Sequence, residues 1–146
     1  MMEYNNNVTL SMESISQNES LARTLVAAFV APMDPGLDVL SDIKTAVSEA
    51  VTNAVIHGYK GKQGKILLSL SINEGQLLVT VSDKGVGIAD ISMAMTPLYS
   101  TSAPEMERAG MGFTVMESFM DKVSVSSQPG EGTTVEMSKD MSSDGS

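Results

Sequence analysis

Two alternating runs constrain this chain more than any other feature. Ile66, Leu68, Leu70 and Ile72 recur at every second position, and Leu77, Val79 and Val81 repeat the pattern after Asn73-Glu74-Gly75. A period of two places each set on one face of a strand, and the turn residues between them predict a β-hairpin with one apolar face. Val123 and Val125 begin another strand, which Pro129-Gly130-Glu131-Gly132 turns into Thr133, Val135 and Met137. Val8 to Met12 alternates as well and reads as an edge strand. A mainly antiparallel sheet with one apolar face needs a cover, so the pattern predicts an α+β two-layer sandwich with helices on that face.

The covering helices are legible too. Asn18 or Ser20 could cap a first helix with Leu21, Leu25, Ala28 and Phe29 on one stripe, ended by Pro32 and Asp34-Pro35-Gly36. A second helix reads from about Leu37 to Tyr59. At 100° per residue, Ile43, Val47, Ala50, Val51 and Ala54 share one apolar arc, with Glu49, Asn53 and His57 on its flank. Ile88 to Ala109 has no period and contains Pro97 and Pro104, which suggests a functional lid. Gly110-Met111-Gly112 is expected to open a last helix through about Met120. Residues 1–140 read as one domain, and the Ser/Asp/Gly-rich residues 141–146 as a disordered tail.

Composition removes several classes of function. The chain has 146 residues, no cysteine and one histidine. Thiolate and multi-histidine metal sites are excluded, so any metal must take oxygen ligands, which favours magnesium or calcium. The net charge of −9 argues against direct nucleic-acid binding, which needs lysine and arginine to displace counterions. The longest apolar stretch, Leu25 to Ala31, is too short to span a bilayer. No secretory signal opens the chain, and a soluble cytoplasmic protein is expected.

Four short motifs carry possible chemistry. Glu49 and Asn53 lie one helical turn apart, so their side chains are neighbours. An Asn oxygen can join a magnesium shell otherwise made of water and phosphate, and a carboxylate beside it can take a proton from a hydroxyl. The same spacing also suits a polar helix edge facing water. Asp83-Lys-Gly85-Val-Gly87 follows a strand. Its carboxylate could accept a hydrogen bond from an exocyclic amine, with glycines letting the backbone approach a flat ring, but Asp-x-Gly is equally a common turn. Arg108-Ala-Gly110-Met111-Gly112 before a helix would offer free amides and the helix dipole to a phosphate, or be a plain flexible loop. Gly132-Thr133 could place a hydroxyl near a base, or simply begin a strand.

In this order, the four motifs resemble the nucleotide-binding fold shared by gyrase-type ATPases, Hsp90, sensor histidine kinases and MutL, over about residues 8 to 138. Glu49-Ala-Val-Thr-Asn-Ala-Val-Ile-His-Gly-Tyr59 is similar to the anti-sigma factor serine kinases of the sporulation type. So are Leu21-Ala-Arg-Thr-Leu-Val-Ala-Ala-Phe-Val30 and Arg108-Ala-Gly-Met-Gly-Phe-Thr-Val-Met-Glu-Ser-Phe-Met120. The resemblance implies an ATP- and Mg2+-dependent homodimer that sequesters a sigma factor and phosphorylates a serine of an anti-anti-sigma protein. It implies Glu49 as general base, Asn53 as magnesium ligand and Asp83 as adenine reader, flanked by Gly85 and Gly87. Gly110, Met111 and Gly112 would wrap the phosphates, and Thr101 and Thr133 would supply hydroxyl contacts. Arg108 would meet the terminal phosphate or the partner, and Arg23 would lie on the partner side.

The lid departs from the family. It reads Tyr99-Ser-Thr-Ser-Ala-Pro-Glu105, where the family has aromatic-Thr-Thr-Lys-Pro-Glu, so the lysine is missing and the segment is one residue longer. An ATP-dependent sigma-binding protein without kinase activity therefore stays open beside the kinase, as does a general-stress-type regulator. The catalytic half of a sensor histidine kinase is disfavoured, because no segment with a phosphoacceptor histidine precedes the domain and the lone His57 sits inside the Asn motif.

Overall fold

A computed structural model describes residues 4–59, 63–86 and 104–141, except for the side chains of 104–111. Five strands form one antiparallel sheet: β1 (Asn6–Glu13), β2 (Lys65–Asn73), β3 (Gln76–Asp83), β4 (Lys122–Gln128) and β5 (Gly132–Asp140). The spatial order is β1-β2-β3-β5-β4, so the last hairpin folds back and sets β5 against β3. Helices α1 (Asn18–Val30), α2 (Leu37–Asn53) and α3 (Pro104–Phe119) pack on the sheet's apolar side, with α2 between the other two. The α+β sandwich read from the sequence is the observed architecture.

The β2–β3 hairpin closes through Glu74 and Gly75, whose φ values of 52° and 78° form a primed turn that matches strand twist. The register pairs Asn73 with Gln76 and Ile66 with Asp83. Ile66, Leu68, Leu70, Ile72, Leu77, Val79 and Val81 are all buried, as the alternation requires. The predicted arc of α2 meets them: Ile43, Val47, Ala50, Val51 and Ala54 are buried too. Met116 of α3 and Met120, just past its end, complete this core. Burying each larger aliphatic side chain contributes about 1.5–3 kcal/mol, which holds α2 firmly on the sheet.

Several expectations are corrected. On α1 the buried stripe is Ala22, Val26, Phe29 and Val30, whereas Leu21 and Ala28 are exposed and Leu25 is half-buried. Neither Asn18 nor Ser20 caps it. Gln17 is the N-cap, and the Asn18 side chain donates to the Glu13 carbonyl at 2.9 Å, tying the helix start to β1. Regular α-helix stops at Asn53, and residues Ala54–Gly58 form a π-turn in which the Tyr59 N–H reaches the Ala54 carbonyl at 3.1 Å.

Helix α3 begins at Pro104, not after Gly112. Proline suits a first helical turn because its missing N–H is not needed there. At the other end of the chain, Met141 is buried and its N–H donates to the Gly75 carbonyl at 2.7 Å. The packed chain therefore runs one residue past the expected boundary.

Candidate active site

Asp83 ends β3 at the edge of the core and is only 8% exposed. Three glycines enclose it. A Cβ on Gly58 would lie 2.8 Å from the Asp83 carboxylate, one on Gly85 would lie 1.9 Å from the Gly58 carbonyl oxygen, and one on Gly132 would lie 2.0 Å from the Asp83 carbonyl oxygen. Gly132 also has φ +100°, a conformation other residues rarely adopt. Backbone bonds lock these segments together. The Val86 N–H donates to the Gly58 carbonyl at 2.8 Å, and the Gly130 N–H to the Val86 carbonyl at 2.7 Å.

The π-turn at the end of α2 serves this arrangement. It brings Gly58 against Asp83 and leaves the Gly58 carbonyl pointing at Val86, and π-turns are frequent at functional sites. Tyr59 then reaches back across the sheet. Its hydroxyl accepts from the Lys84 N–H at 2.7 Å and donates to the Lys65 carbonyl at 2.6 Å. Burial raises the proton affinity of Asp83, while the Gly85 and Thr133 N–H groups bonded to it pull the other way. The Gly85 N–H lies 2.8 Å from Oδ1. The result is a fixed, mostly dehydrated carboxylate whose remaining acceptor capacity suits an exocyclic amine. Thr133 is the register partner of Asp83 on β5, and its hydroxyl lies 2.8 Å from Ser127 Oγ.

Glu49 and Asn53 occupy the other end of the site, on the flank of α2. Helix α3 crosses directly over them: a Cβ on Gly112 would lie 3.0 Å from Asn53 Nδ2 and 3.2 Å from Glu49 Oε2. Any side chain at this position would press the Asn53 and Glu49 groups back by a few tenths of an ångström. Asn53 Nδ2 is buried without a hydrogen-bond partner. Burial, with the Glu19 carboxylate a further cause, raises the proton affinity of Glu49. A partly buried carboxylate beside an unsatisfied amide is suited to accepting a proton from a positioned hydroxyl.

The donors at this end fit a hard cation, since Asn53 and Glu49 offer oxygen and nothing soft. Among the described residues no three acidic, histidine or cysteine side chains converge, so a metal here would draw most of its ligands from phosphate and water, as magnesium does.

Gly110 and Met111 lie within α3, so their amides are not those of a helix start. Arg108 lies on the same helix, with its side chain outside the described residues, and Gly87 and Thr101 also fall outside them. Arg23 projects from α1 into a cleft of about 390 Å3 that Glu49 also lines. Sequence reasoning missed Gly58 and Tyr59 as parts of the site and Glu19 as a charge acting on Glu49. Gly58 and Tyr59 follow the Asn motif directly, but nothing in their spacing signals contact with a strand end.

The model of the family described as "Histidine kinase-like ATPase domain" matches residues 14–139. The chain belongs to that family. This histidine kinase-like ATPase domain is 55% identical over 136 residues to an anti-sigma F factor of Clostridium kluyveri, covering 93% of the chain and 95% of that protein. It is 49% identical over 138 residues to the anti-sigma F factor of Bacillus subtilis, covering 94% of each. Among solved structures, the RsbU and RsbW domains of Rv1364c from Mycobacterium tuberculosis superpose with a TM-score of 0.65 at 18% identity, over 92% of this chain and 32% of that one. The catalytic domain of the histidine kinase ThkA gives 0.57 at 14% identity, over 92% and 96%. At such identities these structures bear on the fold of the ATPase domain alone. No described helix is long and apolar enough to cross a membrane.

Proposed function

We propose that this chain is an anti-sigma factor of the sporulation sigma F type, which binds its sigma factor and phosphorylates a serine of an anti-anti-sigma protein from ATP. The observation that carries the reading is the pairing of two carboxylates with different tasks. Asp83 is fixed, nearly buried and walled by glycines, and Glu49 stands beside Asn53 under α3. The near full-length identity to anti-sigma F factors supports the choice of partner.

In this reading Asp83 accepts a hydrogen bond from adenine N6 while Gly58, Gly85 and Gly87 leave room for the ring. Thr133 completes the base pocket, and Thr101, Arg108, Gly110, Met111 and Gly112 serve the phosphates from the lid and α3. Asn53 would hold the magnesium ion, which when bound neutralises charge on the transferred phosphoryl group. Glu49 orients the incoming serine and takes its proton, a role that a raised proton affinity assists. Gly112 lies against both side chains, which sets α3 beside the places this reading gives to triphosphate and serine. Arg23 faces the partner. The exposed stripe of Leu21 and Ala28 on α1 is the surface we assign to homodimer contact.

The test is transfer of labelled phosphate from ATP to the candidate anti-anti-sigma protein. Glu49→Gln should retain ATP binding and lose transfer. A Glu49→Gln variant that transfers like the parent would remove Glu49 from the mechanism. A parent that retains the sigma factor with ATP but transfers nothing would favour the pure binding protein, the reading that the missing lid lysine supports.

A further inference from the structure

The first turn of α1 holds a carboxylate that neither the motifs nor the proposed chemistry uses. Glu19 Oε1 accepts from Arg23 Nη1 on its own helix and from Ser48 Oγ on α2 at 2.6 Å, and its Oε2 accepts from Thr52 Oγ1 at 3.0 Å. Arg23 Nη1 also reaches Ser48 Oγ, at 3.3 Å. One side chain thus gathers a guanidinium from α1 and two hydroxyls one turn apart on α2. Each hydroxyl residue directly precedes a site residue: Ser48 precedes Glu49, and Thr52 precedes Asn53.

We infer that Glu19 is a positioning residue, which locks α1 onto the turn of α2 bearing Glu49 and Asn53 and holds the Arg23 guanidinium at the cleft that Glu49 lines. This deepens the proposed kinase reading and rests on it.

Geometry supports the assignment over a general surface ion pair. An isolated exposed Glu–Arg pair at i, i+4 contributes only a few tenths of a kcal/mol and would set the position of nothing else. Here the Glu19 and Arg23 side chains are only 31% and 37% exposed, and two of the contacts to Glu19 come from the neighbouring helix. The buried face of α1, formed by Ala22, Val26, Phe29 and Val30, is apolar, and apolar burial carries no direction that would fix the rotation of one helix on the other. The carboxylate network specifies it, because three donors converge on two fixed oxygens. The cleft places Arg23, Lys44, Ser48 and Glu49 around one space, so a shift of Arg23 changes what a docked serine meets on its way to Glu49.

The test compares Glu19→Ala with Leu70→Val, a core change on β2 remote from the cluster that serves as the stability control. Phosphotransfer to the anti-anti-sigma protein is followed with KM for ATP and kcat separated, and thermal midpoints are recorded. A misplacement of reacting groups by about 1 Å costs up to about 100-fold, so Glu19→Ala should lower kcat by about 10- to 100-fold with KM for ATP unchanged. Leu70→Val should keep kcat whatever midpoint it loses. A kcat for Glu19→Ala no lower than that of Leu70→Val would overturn the assignment. If the parent transfers no phosphate, the kinase reading fails separately, and the Arg23 side-chain N–H resonances then decide. They should be protected from solvent exchange in the parent and lose that protection in Glu19→Ala, and unchanged protection would overturn the positioning role.

Discussion

Replacing Gly58 by alanine sets two effects against each other. Alanine favours helix over glycine by up to about 1 kcal/mol, and nothing in the backbone at Gly58 demands glycine. The new Cβ, however, would lie 2.8–2.9 Å from three atoms of the Asp83 carboxyl group. That group cannot simply swing away, because it is buried and accepts the Gly85 N–H at 2.8 Å. Overpacking costs about 1–3 kcal/mol, and losing a hydrogen bond to a charged acceptor costs about 1.5–3 kcal/mol more. The clash wins, with a net loss of roughly 1.5–5 kcal/mol, or a fall of roughly 5–15 °C in thermal midpoint for a chain of this size. ATP affinity should fall by roughly 10- to 100-fold, because the carboxylate no longer sits where the base needs it. Calorimetric titration with ATP and differential scanning calorimetry read both numbers. A Gly58→Ala protein that is as stable as the parent and binds ATP equally well would refute the wedge between α2 and Asp83.

Other perturbations probe separate links. Gly132→Ala should destabilise far more than Gly130→Ala: both positions have positive φ, but only at Gly132 would the Cβ strike the Asp83 backbone, and thermal melts of the two variants check this. Tyr59→Phe removes one hydroxyl that joins the Lys84 N–H to the Lys65 carbonyl, and a loss of about 1–3 kcal/mol in urea unfolding is expected. The hydrogen bond from Ser48, with those from Thr52 and Arg23 and the Arg23 charge, holds the Glu19 carboxyl below its ordinary 4.5 against the opposing effect of burial. Its stabilising contribution is therefore complete above that value and is lost as pH falls through the lower folded value. The stability gap between parent and Glu19→Gln should accordingly be widest at neutral pH and narrow on acidification, as urea titrations at both ends would record.

How far the sequence reaches depends on the range of the signal. Alternation in Ile66–Ile72 and Leu77–Val81 is local, and it announced the hairpin and its buried face. The apolar arc of α2 was equally legible, because a long helix shows its period many times over. The stripe on α1 was misplaced by one position. Leu21 is more apolar than Ala22, yet Ala22 is the one buried, and no local rule reports that choice. The start of α3 was missed because Pro104 was placed within the aperiodic lid, although proline equally suits a first helical turn. Glu49, Asn53 and Asp83 could be singled out because their residue types carry the chemistry. Gly58, Tyr59 and Glu19 act through contacts between distant segments, such as Glu19 with Thr52, which appear only when the chain is folded.

The central claim is that Asp83 recognises the adenine base, and calorimetric titration of ATP with Mg2+ into the parent and into Asp83→Asn tests it most directly. Asparagine keeps an oxygen for the Gly85 N–H and spares the cost of burying a charge, which offsets its weaker hydrogen bonding to the Gly85 and Thr133 N–H groups, so the variant should stay folded at neutral pH. The account predicts saturable heat with the parent and its loss in Asp83→Asn. A folded Asp83→Asn that binds ATP as tightly as the parent, or a parent that gives no heat at all, would contradict it.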